Sequence, residues 1–520
     1  MRVFILFAPE FIDWALAIAR RLKEEDPSCQ LLGVASGPPE IYERVAAAQD
    51  LQVSPLWRLE DLERSWLDHA LAPERRNALE ARIGADVLHR LVVADRDLGR
   101  GFISGGVTAE TPLSRIARDP QRLDRYVFGL LDHVERALQD KAVDLVFCHS
   151  VADAPSLALG LMSQSLGIPF AQVRHTRIGS RVLIDTSPFD ELAPVQDCFE
   201  RIVLTNRFPA DSKTTSHRYL NAARALDSVP DYLDYHRQRI GRQLAWPKLL
   251  WRLAVSLRAE LLAANSPGRQ GLRNASPLRQ CLLDLKAAIE TRRLLSSETF
   301  LPLGERPAGS FAFFPLHVDP EASTMVQSPM HTDQLSLVEA VAKSLPTDMP
   351  LLVKEHLPTL GRRPKGFYER LKALPRVLLA SPFESGAALV REAALTTVVS
   401  STAGWEAMLF GKPVVVMAYP PYAMVNDGFV HCPDVTKLPG AIRQALAGEP
   451  ADERRLVAYV AAALACSFEC PTEDLWGERA AEAAGSRPQL LENLVAQLRD
   501  VAGREPAGQD DIWEALREAL

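Results

Sequence analysis

No run in this 520-residue chain stays apolar over the about 20 residues that a membrane-crossing helix requires. The opening run, Met1 to Phe7, is too short to span and lacks the cleavage pattern of a secretory leader, so it reads as a buried first strand. A disulfide framework is missing as well. The seven cysteines (Cys29, Cys148, Cys198, Cys281, Cys432, Cys466 and Cys470) are odd in number and irregular in spacing. Cys466 and Cys470 would share one face of a helix, but no further ligand stands near them, and no metal site is expected. Nor is there an excess of positive charge: 59 Lys and Arg against 66 Asp and Glu leave −7, which excludes a general pull toward nucleic acid. No internal repeat is found. A cytoplasmic location is the simplest reading.

What is present is a folded protein's composition, 47% apolar, in a chain long enough for about three ordinary units or two large α/β domains. Strands are expected at Val3 to Phe7, Gln30 to Ala35, Val143 to Cys148 and Ile168 to Val173. Helices are expected at Trp14 to Leu22, Glu60 to Arg82, Gln121 to Gln139 and Ala154 to Leu166. The strand–helix–Gly167-Ile168-Pro169–strand cadence is that of a parallel-sheet crossover. Alternation returns at Phe311 and runs to Met417. The expected organisation is a Rossmann-like domain over 1–210, a helical insertion or linker over 211–300, a second Rossmann-like domain over 301–440 and a helical region over 441–520. Two such domains facing one another form a cleft at the C-terminal ends of their strands, where open parallel sheets bind ligands.

The insertion differs in character from its surroundings. Residues 236–293 hold twelve Lys and Arg against three acids, Glu260, Asp284 and Glu290, inside an acidic chain. Trp246, Leu249, Leu250, Trp251, Leu253 and Leu257 add apolar bulk. Basic amphipathic helices of this kind can lie on anionic membrane surfaces; the plainer alternative is an insertion whose arginine stems cover apolar neighbours.

Polar groups recur where strands of the second half end. One cluster is His317 to Thr324, with Glu321; the next is Lys354-Glu355-His356; the third is Ser400-Ser401-Thr402-Ala403-Gly404-Trp405-Glu406. The third reads strand, hydroxyl-rich turn, short helix, then Gly411-Lys412-Pro413 and another strand. A helix opening on Ser, Ser, Thr and Gly directs backbone N–H groups and hydroxyls at one spot, which suits phosphate, and Glu406 is placed to reach a sugar hydroxyl. For Glu321 the alternative is capping of the helix that follows.

Phe313-Phe314-Pro315-Leu316-His317 with Pro320-Glu321-Ala322-Ser323-Thr324, Asp333-Gln334, Val353-Lys354-Glu355-His356, and Ser401-Thr402-Ala403-Gly404-Trp405-Glu406-Ala407 with Gly411-Lys412-Pro413 resemble the capsule-polysaccharide-biosynthesis family. That family includes bacterial Kdo transferases of the two-domain GT-B architecture. The resemblance covers Phe311 to Met417 and extends more weakly into the N-terminal half, around Asp95-Arg96 and from Gly167 to Arg177. It implies a glycosyltransferase that uses a nucleotide-sugar donor, CMP-Kdo, and a surface polysaccharide or glycolipid precursor as acceptor, with no separate cofactor. In similar CMP-sugar transferases a His-Pro pair contacts the donor and a Ser-Ser/Thr turn holds its phosphate, positions matched by His356 and by Ser400, Ser401 and Thr402. His317, Glu321, Lys354, Glu355, Gly404 and Glu406 complete the implied donor site. Two departures stand out: Leu357 is inserted between His356 and Pro358, and Asp319 replaces a commoner Gln.

Leaving CMP gains negative charge. Hydroxyls, helix-opening N–H groups, Lys354 and a protonated His356 can stabilise it, and with no Asp-x-Asp motif near a donor-side strand no metal is demanded. The acceptor-side base or nucleophile is expected among Asp95, Asp153, Asp185 and Asp190 of the first domain, with Asp185 favoured. The loop holding Gly99, Gly101, Gly105 and Gly106 could admit an acceptor, though a mobile surface loop is the plainer reading; His149 and His175 read as packed histidines. A UDP-sugar transferase or epimerase, and a scaffold of a polysaccharide assembly complex that has lost chemistry, are the alternatives. The first rests on the broad GT-B character of Gly404-Trp405-Glu406-Ala407, the second on the interrupted His-Pro pair.

Overall fold

The computed structural model describes residues 1–106, 108–189, 191–209, 211–225, 246–264, 271–477 and 479–503. Asp190, much of the basic segment and the polar stretch after Gly503 lie outside the described residues. The strands, in chain order, are β1 (Arg2–Phe7), β2 (Gln30–Ala35), β3 (Leu56–Arg58), β4 (Leu145–Cys148), β5 (Phe170–His175), β6 (Arg181–Asp185), β7 (Ala312–Pro315), β8 (Leu351–Lys354), β9 (Val377–Ala380), β10 (Leu395–Val398), β11 (Val414–Val416), β12 (Val430–His431) and β13 (Phe468–Glu469).

They form two sheets. The first has the order β13-β6-β5-β4-β1-β2-β3, the second β12-β11-β10-β7-β8-β9. The second sheet is parallel throughout and, read from β9, follows the doubly wound order 3-2-1-4-5-6. The first repeats that order through β5, and β6 then turns back antiparallel. Both sheets therefore change winding direction beside their first strand, between β1 and β4 and between β7 and β10. Strands such as Val-Phe-Ile-Leu-Phe and Val-Val-Val are apolar on both faces because helices cover both faces.

The expected helix over Glu60 to Arg82 is two helices, Leu59–Asp68 and Pro73–Ile83, because Pro73 cannot extend a preceding helix and instead opens a new one. The stretch after 440 is mostly helical and packs on elements of both sheets' lobes. Helix Glu453–Cys466 packs on Ala193–Thr205 and Ser212–Ala225. The chain then returns to the first sheet, where β13 pairs with β6 and helix Pro488–Ala502 packs on Ile12–Glu25. Cys466 ends its helix and Cys470 follows β13, so the two do not share a helical face.

Candidate functional site

Each predicted cluster sits at the C-terminal end of a parallel strand in the second sheet, which sends all three to one edge. Helix Thr402–Leu409 starts where β10 ends. Ser401 is its N-cap, its Oγ accepting the Ala403 N–H at 3.2 Å, and Gly411 at φ +63° stops it. The Ser400 hydroxyl is buried and donates to the Ser323 carbonyl at 3.1 Å, tying the turn after β10 to the loop after β7 across the winding change. A cavity of about 110 Å³ opens here, lined by Pro315, Lys354, His356, Ser401, Thr402 and Glu406 among others. It has room for a small anionic group; whole-ligand pockets run to about 300–1,000 Å³.

The electrostatics suit such a group. Burial lowers the pKa of Lys354, whose Nζ donates, among the described residues, only to the Glu355 carbonyl at 3.3 Å. Burial, with Arg177, His356 and Arg363 nearby, pushes His317 down to about 3, so its ring is neutral at physiological pH. Desolvation raises Glu406 to about 7, and its carboxylate makes no hydrogen bond or ion pair among the described residues. His317 Nε2 and Ser323 Oγ are buried polar atoms without partners. Buried polar atoms left unsatisfied in a folded protein are uncommon and call for an explanation.

Arg363, which sequence reasoning missed, organises the crevice. Its side chain is 1% exposed and pairs through Nε with Glu355 at 2.8 Å and through Nη1 with Asp319 at 2.8 Å, while Nη2 donates to the His317 carbonyl at 2.8 Å. Tyr368 donates to the same glutamate at 2.8 Å, and the His356 N–H does so at 2.7 Å. Glu355 is therefore a positioning group and not a donor contact: its oxygens are consumed in holding Arg363 and the His356 backbone. Asp319 fits its position because a guanidinium faces it. The inserted Leu357 is buried and opens a one-turn helix, Leu357–Thr359, which leaves Pro358 exposed and His356 at the cavity wall.

The first lobe also reaches the site. Arg177, in the β5–β6 turn, donates to the Ser400 carbonyl at 2.8 Å. The glycine-rich loop is not a mobile surface element. Ser104 Oγ accepts the Gln334 N–H at 2.9 Å, and the Phe102 carbonyl accepts from Thr332 at 2.8 Å. A Cβ on Gly106, at φ +62°, would lie 1.8 Å from the Asp319 carbonyl oxygen, so this loop seals the lobes together.

Asp185 is corrected as the favoured base, while His149 and His175 are packed as expected. Asp185 is fully buried and both its oxygens accept backbone N–H groups, from Thr186, Ser187, Leu192 and Ala193. Burial still raises it to about 7, but a carboxylate so enclosed anchors its loop and does not meet a substrate. Asp95 is buried against Arg273 at 2.9 Å, and Asp153 caps helix Ala154–Ser165. Gly404 makes room for Tyr422, whose Oη would lie 2.1 Å from an added Cβ, so its role is packing. Glu321 occupies an N-cap position without a side-chain cap bond and is exposed. His149 lies stacked on Phe11 with Nε2 3.1 Å from Glu10, and His175 bonds the Arg181 carbonyl at 3.3 Å.

Two facing lobes, each a largely parallel sheet with the same winding change, make this a GT-B-like α/β protein. No family model matches the chain, and no curated protein does. Among solved structures it is similar to the beta Kdo 2,7 transferase of Thermosulfurimonas dismutans KpsC, at 16% identity over 69% of this chain and 89% of that one, TM-score 0.33. It is also similar to the beta Kdo 2,4 transferase of the same protein, at 14% over 62% and 80%, TM-score 0.33. A UDP-GlcNAc 2-epimerase from Neisseria meningitidis, solved with UDP-GlcNAc, matches at 11% over 95% and 100%, TM-score 0.25. At these scores the strand order, and not the matches, carries the fold.

Proposed function

We propose that this protein is a glycosyltransferase that moves a sugar from a nucleotide donor, CMP-Kdo, onto a bacterial surface polysaccharide or glycolipid precursor. The observation that carries the reading is the convergence of Lys354, His356, Ser401, Thr402 and Glu406 on one cavity. In this reading the donor phosphate lies against the start of helix Thr402–Leu409. There N–H groups, hydroxyls and Lys354 stabilise the charge that CMP gains as the glycosidic bond breaks. Glu406 meets a donor hydroxyl, and His317, as a neutral hydrogen-bonding group, and His356 contact the donor. The acceptor enters from the first lobe, and a lipid-linked acceptor would hold the enzyme at the inner face of the cytoplasmic membrane.

The test is CMP release from CMP-Kdo in the presence of candidate acceptors, alongside calorimetric binding of CMP and UDP. CMP should bind more tightly than UDP. His356→Ala and Ser401→Ala should each lower turnover at least a hundredfold with the thermal transition unchanged. Preference for UDP would move the protein to UDP-sugar chemistry. Nucleotide binding with no turnover on any donor would favour the non-catalytic scaffold, the reading that the Leu357 insertion raises.

A further inference from the structure

We infer that the hairpin of helices Trp246–Ala264 and Pro277–Leu295 is a docking surface for an anionic lipid bilayer. Over residues 251–261 the first of these helices is largely uncovered. Trp251 is 67% exposed, Val255 46%, Leu257 48% and Leu261 61%. The half-buried positions, Leu253, Ser256, Ala259 and Glu260, fall on the opposite side at about 100° per residue. That inner side meets the second helix: Arg252 pairs with Asp284 at 2.5 Å, and Ser276 donates to Glu260 at 2.8 Å. Between Trp251 and Leu261 the outer face carries Arg258 and no carboxylate.

The second helix adds a stripe of Arg279, Leu282, Lys286 and Ile289 at helical spacing, with Leu282 49% and Ile289 53% exposed. Apolar and cationic groups therefore share both outward surfaces. A contiguous exposed apolar face is uncommon in a soluble protein and marks an interaction site.

Charge selects the occupant. The two helices hold seven Lys and Arg against three acids in a chain of net charge −7, so they are attracted to an anionic surface that repels the rest of the molecule. A second copy docking through the same face would set cation against cation. Neither helix is long and apolar enough to cross a membrane, so the hairpin lies in the interface, with Trp251 at headgroup depth. Lipid contact of this kind is independent of the donor chemistry proposed above.

The test is co-sedimentation of the full-length protein with sucrose-loaded vesicles, POPC alone or POPC with 30% POPG, at 0.1 and 0.5 M NaCl. The protein should partition at least tenfold better onto the POPG vesicles at low salt and lose most of that advantage at high salt. Trp251→Gln/Val255→Gln/Leu261→Gln and Arg258→Glu/Arg279→Glu/Lys286→Glu, all on exposed positions, should each reduce partitioning tenfold or more while thermal melting and CMP binding stay as in the parent. Equal binding to both vesicles, no binding, or parental binding by either variant would overturn the inference. So would light scattering that shows a dimer which the glutamine variant dissolves, because the face would then be a self-association surface. CMP binding, read on the same samples, separates a failure here from a failure of the transferase reading.

Discussion

Glu406 shows how much one side chain's surroundings decide. It sits in the second turn of a helix that starts with its dipole toward the cavity, and desolvation without a partner raises its pKa from 4.5 to about 7. In the unfolded chain the proton leaves near the lower value, in the folded protein near the higher. Between the two the folded state binds more protons, so this group's contribution to stability falls as pH rises through that window. The same ionisation sets a carboxylate against the anion that the cavity is proposed to hold. CMP affinity should therefore weaken as pH rises from 6 to 8, and Glu406→Gln should flatten that slope. Titration calorimetry on both proteins checks it, because the phosphate's own titration cancels in their ratio. Equal slopes would remove Glu406 from the phosphate's vicinity. The residues around this cavity were readable in the sequence where chemistry follows a strand directly, as Lys354, His356, Ser401 and Glu406 do. Arg363 and Arg177 were not, because their partners Asp319 and Ser400 lie 44 and 223 positions away and only the folded sheets bring them together. Asp185 misled because a carboxylate at a strand end looks the same in sequence whether it faces a substrate or its own loop.

At the scale of elements, helix Thr402–Leu409 is where sequence and structure agree most closely. Its hydroxyl cap, its glycine stop and the strands on either side all followed from local chemistry. Gly404 separates two accounts of that helix. Read as a donor contact, it would tolerate alanine with some loss of affinity. The structure instead puts Tyr422 Oη where a methyl would go, with the same hydroxyl donating to the Ser401 carbonyl at 2.9 Å. Gly404→Ala should push Tyr422 away and tilt the helix start, at an overpacking cost of about 1–3 kcal/mol. Chemical denaturation should register that loss, and CMP affinity should drop with it. Gly404→Ala in a Tyr422→Phe background, which removes the crowding oxygen, should recover most of the stability. Failure of that rescue would return Gly404 to direct ligand contact. Elements defined by distant neighbours were less legible: the reversal of β6 depends on its pairing with β5 and β13, and nothing within Arg181-Val182-Leu183-Ile184-Asp185 announces a direction.

The whole molecule is organised by a chain whose last described helix returns to the lobe that holds its first strand. Helix Pro488–Ala502 buries Leu490, Leu494, Leu498 and Val501 in the core that also holds Trp14, Ile18 and Leu22. Trp14 Nε1 donates to the Asp474 carbonyl at 2.8 Å, and Gln497 accepts the Ile184 N–H at 2.8 Å, so the tail both covers β6 and fixes it. Periodicity could show that the tail is helical but not which lobe it covers, since an apolar stripe carries no address. Its covering role makes a distinct prediction. Leu498 is fully buried, and Leu498→Ala should cost about 2–5 kcal/mol through lost burial and the cavity left behind. Domain stabilities are about 5–15 kcal/mol, so that is a large share for the lobe that bears it. The second lobe has its own core around Val338, Val353 and Val415, while Leu352 lies in a core shared with Leu183 and Val195 of the first lobe, and the cavity opens at the second sheet. Urea unfolding followed by intrinsic tryptophan fluorescence in a Leu498→Ala protein should shift to lower denaturant, while CMP affinity of the folded protein stays within twofold of the parent. An unshifted transition would mean that the tail is not structurally required. A parallel loss of CMP affinity would mean that damage to the first lobe passes through Arg177 to Ser400, making the lobes one energetic unit and not two that meet at a cleft.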